Sequence, residues 1–167
     1  MPIPNLDTAS VVIAAALTAV LAWAAYSDYR HRLIPNLSVL GVMILFAAWT
    51  TAHGFHGLVP ALLTAVVTLA VTVGLYALKV FGGGDAKLLA AITLFTGFAH
   101  LGAFAAVMAL TGAVIAVAGL LLNPRRALSA RGADGKAGRG VPYGVAIAFA
   151  GAFTVWAGML HFMTPVF

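Results

Sequence analysis

Long apolar runs broken by short polar knots make up this chain. A helix that crosses a bilayer needs ~20 mostly apolar residues, each rising 1.5 Å. Six segments meet or approach that length: about Ala9 to Tyr26, Asn36 to Ala52, Leu58 to Val80, Ala86 to Phe98, Leu101 to Leu122 and Tyr143 to Met163. The fourth is short for a full span and is expected to be tilted, thinly spanned or partly interfacial. The runs lack the alternating ~10-residue pattern of an outer-membrane barrel strand, so the spans are predicted to be helical. The expected fold is all-α: a polytopic membrane protein of six transmembrane helices, one domain over residues 1–167.

Composition agrees with that picture. Of 167 residues, 63% are hydrophobic and 8% charged, with a mean hydropathy of +1.07. A soluble domain is ~25% charged. Cysteine is absent, which excludes disulfides and thiolate metal sites. The opening MPIPNLDTAS has no Lys or Arg and lacks the basic region of a cleavable signal, so the first helix is expected to be retained.

Charge supplies the orientation. In a six-span arrangement all nine basic side chains fall on one face: Arg30, Arg32, Lys79, Lys87, Arg125, Arg126, Arg131, Lys136 and Arg139. The other face carries Asp7 and the loop His53-Gly54-Phe55-His56-Gly57. The positive-inside rule makes the basic face cytoplasmic and puts both termini on the opposite side. The glycine-rich basic loop Asn123 to Val141 is expected to lie on anionic lipid headgroups; a docking role is the other reading. With no aromatic interleaving and no folded module to carry it, nucleic-acid binding is not expected.

The candidate chemistry lies in the acids. There are four: Asp7, Asp28, Asp85 and Asp134. An ionisable group in or at a bilayer is costly and marks a candidate functional site. Asp28 closes the first helix, just before the turn Ile34-Pro35-Asn36, where Pro35 discourages helix and Asn36 begins or caps the next one. Asp85 opens the fourth helix after Gly82-Gly83-Gly84. The topology brings both to one depth on the cytoplasmic side. Two adjacent carboxylates titrate as a unit, so one can draw a proton from water while the other, protonated, polarises a carbonyl. That chemistry needs no metal or cofactor. The glycines are expected to adopt backbone conformations closed to other residues and to admit a peptide strand. Plainer readings exist: Asp28 paired with Arg30 or Arg32, and Asp85 capping its helix or pairing with Lys87. Lys87 is expected to snorkel at the interface, with tuning of Asp85 as a further role.

These residues resemble the type IV prepilin peptidases. Gly82, Gly84 and Asp85, followed by Ala86-Lys87-Leu88, match that family's Gly-x-Gly-Asp element. Asp28 before Ile34-Pro35-Asn36 resembles its first aspartate, and Pro142-Tyr143-Gly144 is similar to its late Pro-Phe-Gly. The resemblance implies a membrane aspartyl endopeptidase with Asp28 and Asp85 as the catalytic pair. Gly82, Gly83, Gly84, Lys87, Pro35 and Asn36 would bind substrate or support the pair. The implied partners are prepilins and pseudopilins, cleaved at the cytoplasmic face of the inner membrane. Larger members carry a four-cysteine zinc region and methylate the new N-terminus. With no cysteine here, methyltransferase activity is not expected, and the chain resembles the compact form of tight-adherence (Flp) pilus systems or an archaeal preflagellin peptidase. A proton-coupled transporter or channel component, and a non-catalytic scaffold, are the alternatives.

The histidines are not promoted to a site. His53-x-x-His56 has metal-like spacing but no third ligand and reads as a solvated loop. His100 and His161 read as boundary residues, and His31 as a turn residue. No serine–histidine pair is expected to be placed for nucleophilic catalysis. Gly112 and Gly119 read as sites of close helix packing. Oligomeric state is not legible.

Overall fold

The computed structural model describes residues 7–55, 57–78, 82–122 and 143–159. Six helices occupy them: α1 (Thr8–His31), α2 (Asn36–His53), α3 (Leu58–Ala77), α4 (Gly83–Thr96), α5 (Leu101–Leu122) and α6 (Tyr143–Met159). α2, α3, α5 and α6 begin at the residues expected from hydropathy. α1 runs on to His31, which draws Asp28 into its last turn. α4 begins at Gly83 rather than near Ala86, which draws Asp85 into its first turn.

Four helices, α1, α2, α3 and α5, are long and apolar enough to cross a membrane. The chain is a multi-pass membrane protein by this composition. α4, at 14 residues, rises about 21 Å and falls short of a ~30 Å hydrocarbon core. Its surroundings explain how it survives. Apart from Lys87, every residue from Ala86 to Thr96 is buried. A helix apolar all round belongs inside a bundle, and α4 packs against α3, α6, α2 and, more lightly, α5. α1 lies between α2 and α6, and α5 leans on α6.

Each outer helix offers α4 or α1 one narrow stripe. On α1 it is Ala14, Leu17, Leu21 and Ala24, ending at Ser27 and Asp28. On α2 it is Ser38, Val42, Phe46 and Thr50; on α3, Ala61, Thr64, Thr68 and Thr72. Those three- and four-residue steps keep one helical face inward. Two of the three threonines do not cost what their hydroxyls suggest, because Thr64 and Thr72 donate to carbonyls one turn back at 2.7 and 2.8 Å, whereas the buried Thr68 hydroxyl has no such partner. Phe46 of α2 meets Phe95 of α4 edge to face at 5.3 Å. α6 meets both α1 and α4 through small residues. A Cβ on Gly151 would lie 2.6 Å from Cγ1 of buried Ile92 and 3.3 Å from Leu21. This is the close approach by which membrane helices gain packing energy. Gly112 packs ordinarily, its would-be Cβ 3.8 Å from Ala146, whereas Gly119 has nothing within 4 Å and is not a packing site.

The end of the bundle away from Asp28 and Asp85 departs from the sequence reading. His53 is not a solvated loop residue. It closes α2, stacks on Trp49 with 4.7 Å between ring centres, and faces Ser10 at 2.7 Å and Asp7 at 3.2 Å. A serine–histidine pair therefore does form. It has no triad geometry, since Ser10 and Asp7 share Nε2 while Nδ1 is 3.0 Å from the Trp49 carbonyl. His100, between α4 and α5, is buried, and its carbonyl accepts from Phe104 N–H at 2.9 Å. His56, His161, Pro142, Lys79, Asp134 and the basic loop fall outside the described residues.

Candidate active site

The link from α1 to α2 is only residues 32–35, and its shape is held from both sides. Arg32 caps α1 in a left-handed conformation, φ 56°, its N–H donating to the Asp28 carbonyl at 2.9 Å. Ser27 Oγ reaches forward to the Leu33 carbonyl at 2.8 Å. Pro35, extended at φ −63° and ψ 136°, precedes α2, and Ser38 donates to its carbonyl from both N–H and Oγ. Asn36 is the first residue of α2. This turn is thus a built corner, and it points Asp28 inward: Asp28 is 6% exposed.

The start of α4 closes against that corner. Gly82 is the N-cap and Asp85 the third helical residue, whose carboxylate accepts from the Gly82 N–H as in a capping box. A Cβ on Gly84 would sit 3.0 Å from the Cβ of Ile34, so only glycine lets α4 approach the turn this closely. Lys87 is exposed and donates to Asn36 Oδ1 at 3.4 Å, a second tie between α4 and α2.

One cavity of about 220 Å³ results, lined by Asp28, Arg32, Leu33, Ile34, Asn36, Gly82, Gly83, Gly84, Asp85 and Lys87. All the sequence-selected residues except Pro35, which shapes the turn behind it, line this space. Asp85, outside the four long spans, is pushed up from 3.8 to about 6. Burial is the first cause and the negative charge of Asp28 the second; the Gly82 N–H and the Arg32 charge act the other way. The charge of Asp28 thus reaches the Asp85 carboxyl.

The glycines work differently from expectation. Gly82 is extended (φ −76°, ψ 149°), Gly83 and Gly84 are helical, and none of the three has a positive φ. Their role is close approach. A Cβ on Gly82 would come 2.8 Å from Asp85 Oδ2, whereas one on Gly83 would make ordinary contact with the Tyr76 ring at 3.5 Å. An alanine scan should separate them. Gly83→Ala should keep near-native activity. Gly82→Ala should fold normally but lose roughly tenfold or more in kcat as the carboxylate is displaced. Gly84→Ala should lower the thermal midpoint as well. Equal effects at all three positions, in a cleavage assay paired with thermal unfolding, would refute this division.

Sequence reading missed Gly144 and gave Arg32 no role beyond a salt bridge. Gly144 N–H, in the first turn of α6, donates to Asp28 Oδ2 at 2.9 Å. A Cβ there would lie 2.8 to 2.9 Å from three Asp28 atoms. The match of Tyr143-Gly144 to a late Pro-Phe-Gly was the available signal for the first. The positive φ of Arg32 has no sequence signature.

An apolar helical bundle with two aspartates lining one cavity at one end fits the chemistry of a class, the membrane aspartic peptidases. Residues 15–121 match the model of the Type IV leader peptidase family. The chain belongs to that family: it is an aspartic peptidase whose family generally cleaves the leader peptide of prepilins. The match spans the segments bearing Asp28 and Asp85 and stops before α6. No curated protein and no solved structure matches significantly.

Proposed function

We propose that this protein is a prepilin peptidase of the compact Flp type, with Asp28 and Asp85 as its catalytic pair. The observation that carries the reading is the shared cavity, in which the last turn of α1 and the first turn of α4 present one carboxylate each. Arg30, Arg32 and Lys87 lie at this same end, which favours a site at the cytoplasmic face. The four-residue α1–α2 link leaves no room for a zinc-binding insert and favours the compact form.

Hydrolysis then follows from the proton positions. Asp85 holds the shared proton, and Asp28 is ionised and oriented by Gly144. Asp28 takes a proton from water as its oxygen attacks the scissile carbonyl carbon, while Asp85 gives its proton to the carbonyl oxygen. The resulting gem-diol collapses: Asp28 returns its proton to the departing amide nitrogen, the C–N bond breaks, and Asp85 recovers a proton from a hydroxyl. Leader carboxylic acid and free amine leave, and the pair is restored. The substrate's apolar helix stays in the bilayer while its basic leader remains in the cytoplasm.

Co-expression with an Flp-type prepilin tests the reading: the pilin should lose its leader mass only when the peptidase is present. Purified protein should show a bell-shaped pH profile. The alkaline limb of kcat/KM should fall near pH 6, where Asp85 loses its proton. Bound substrate excludes water from the cavity, so the alkaline limb of kcat should lie at higher pH than that of kcat/KM. Activity still climbing through pH 8 on both measures would contradict a shared proton.

A further inference from the structure

The corner before α2 contains a costly choice. Among the described residues, Arg32 is the only non-glycine with positive φ. Glycine, and next asparagine, is the ordinary occupant of a left-handed helix cap, and a larger side chain there is strained. Strain of this kind persists where the surroundings require it, often at functional sites. The side chain that incurs it is exposed, yet it lines the same cavity as Asp28 and Asp85. Other basic residues lie at the same end of the bundle, and Lys87 also lines the cavity. Arg30 lies over the Tyr26 ring at 6.0 Å, Lys87 reaches Asn36, and His31 is exposed at the end of α1. α2 presents Asn36 here, an uncharged amide.

We propose that Arg32 is a positioning residue of the aspartate pair: the left-handed cap holds its guanidinium at the cavity, where it keeps one carboxylate ionised while the two share a single proton. This rests on the reading of Asp28 and Asp85 as catalytic. A fixed positive charge favours the ionised form of both carboxylates. Without it, each ionisation of the pair needs a higher pH.

Arg32→Gly tests this, because glycine suits a φ of 56° and spares the fold. Its thermal midpoint should equal or exceed that of the native protein. Its pH profile should move bodily upward by roughly half to one unit. Cleavage then drops about three- to tenfold on the acid limb and is preserved or raised on the alkaline limb. Arg32→Lys should restore the native position. Arg32→Asn, also tolerated at this φ, gives the same reading should the glycine variant accumulate poorly. A profile lowered equally at every pH, or one that does not move, overturns the proposal. Infrared titration of the carboxylic-acid band, assigned with Asp85→Asn, reads the same charge without substrate. A midpoint higher in Arg32→Gly supports the role of Arg32 even if the native protein cleaves no prepilin, an outcome that would sink the peptidase reading alone. An unchanged midpoint sinks the role of Arg32 whatever the cleavage result.

Discussion

Asp85→Asn should abolish leader removal, by at least roughly a thousandfold, and Asp28→Asn should do the same. Each substitution keeps the volume of the side chain and removes one half of a proton exchange. Asn at 28 can still accept the Gly144 N–H through its amide oxygen, so the α1–α6 contact should survive. Asn at 85 should also relieve the fold. The carboxyl of Asp85 sits near 6 in the native protein against an ordinary 3.8, so its ionised form is disfavoured by folding. For a carboxyl raised in this way, stability falls as pH rises from about 4 to 6 and stays reduced above that. At pH 7 the Asp85→Asn protein should therefore melt no lower than the native one. The double variant should be no worse than either single, because groups that act as one unit fail together. Mass analysis of the co-expressed pilin, alongside membrane accumulation, reads all of this. Cleavage persisting in either single variant would remove the paired mechanism.

Much of this site was legible before any coordinates. Hydropathy located four helix starts, and charge put Asp28 and Asp85 at one end, because bilayer topology ties sequence to depth. Local rules carried the corner: Pro35 and Asn36 divide α1 from α2 as expected. Two things were not legible. One is backbone detail. Three consecutive glycines suggest unusual φ, yet Gly83 and Gly84 are ordinary helix, and what makes glycine necessary at 84 is the Cβ of Ile34, far away in sequence. The other is lateral arrangement. Apolar helices in lipid give few hints of which neighbours they choose, so neither the His53–Ser10 contact nor the seat of Gly144 on Asp28 can be read from periodicity.

That seat yields the second large effect. Gly144→Ala should lower kcat by about a hundredfold while the protein still folds. The added Cβ would stand 2.8 Å from Asp28 Oδ2 and 2.9 Å from both Cγ and Cβ. Turning the side chain about its Cα–Cβ bond relieves the Oδ2 and Cγ contacts only; the third involves the root of the side chain. Asp28 must then shift as a whole, or α1 and α6 must part. Parting is resisted along the rest of the interface. Gly151 lies against Leu21 and Ile92 in the middle, and Trp156 Nε1–H donates to Thr18 Oγ1 at 3.0 Å near the far end. The local solution is a displaced Asp28 that has lost its 2.9 Å bond from the Gly144 N–H. A misplacement of about 1 Å in a reacting group costs on the order of 10²-fold in rate. KM should change little, because the change displaces a reacting carboxylate rather than another cavity-lining contact. Gly74→Ala and Gly102→Ala are the controls: nothing lies within 4 Å of either added methyl, so both should cleave normally. Full activity in Gly144→Ala would mean that Asp28 does not depend on α6. Loss of the folded protein, with normal turnover in what remains, would reduce Gly144 to a packing residue. A selective fall in kcat would instead make α6, which lies beyond the family match, the third element that builds the site.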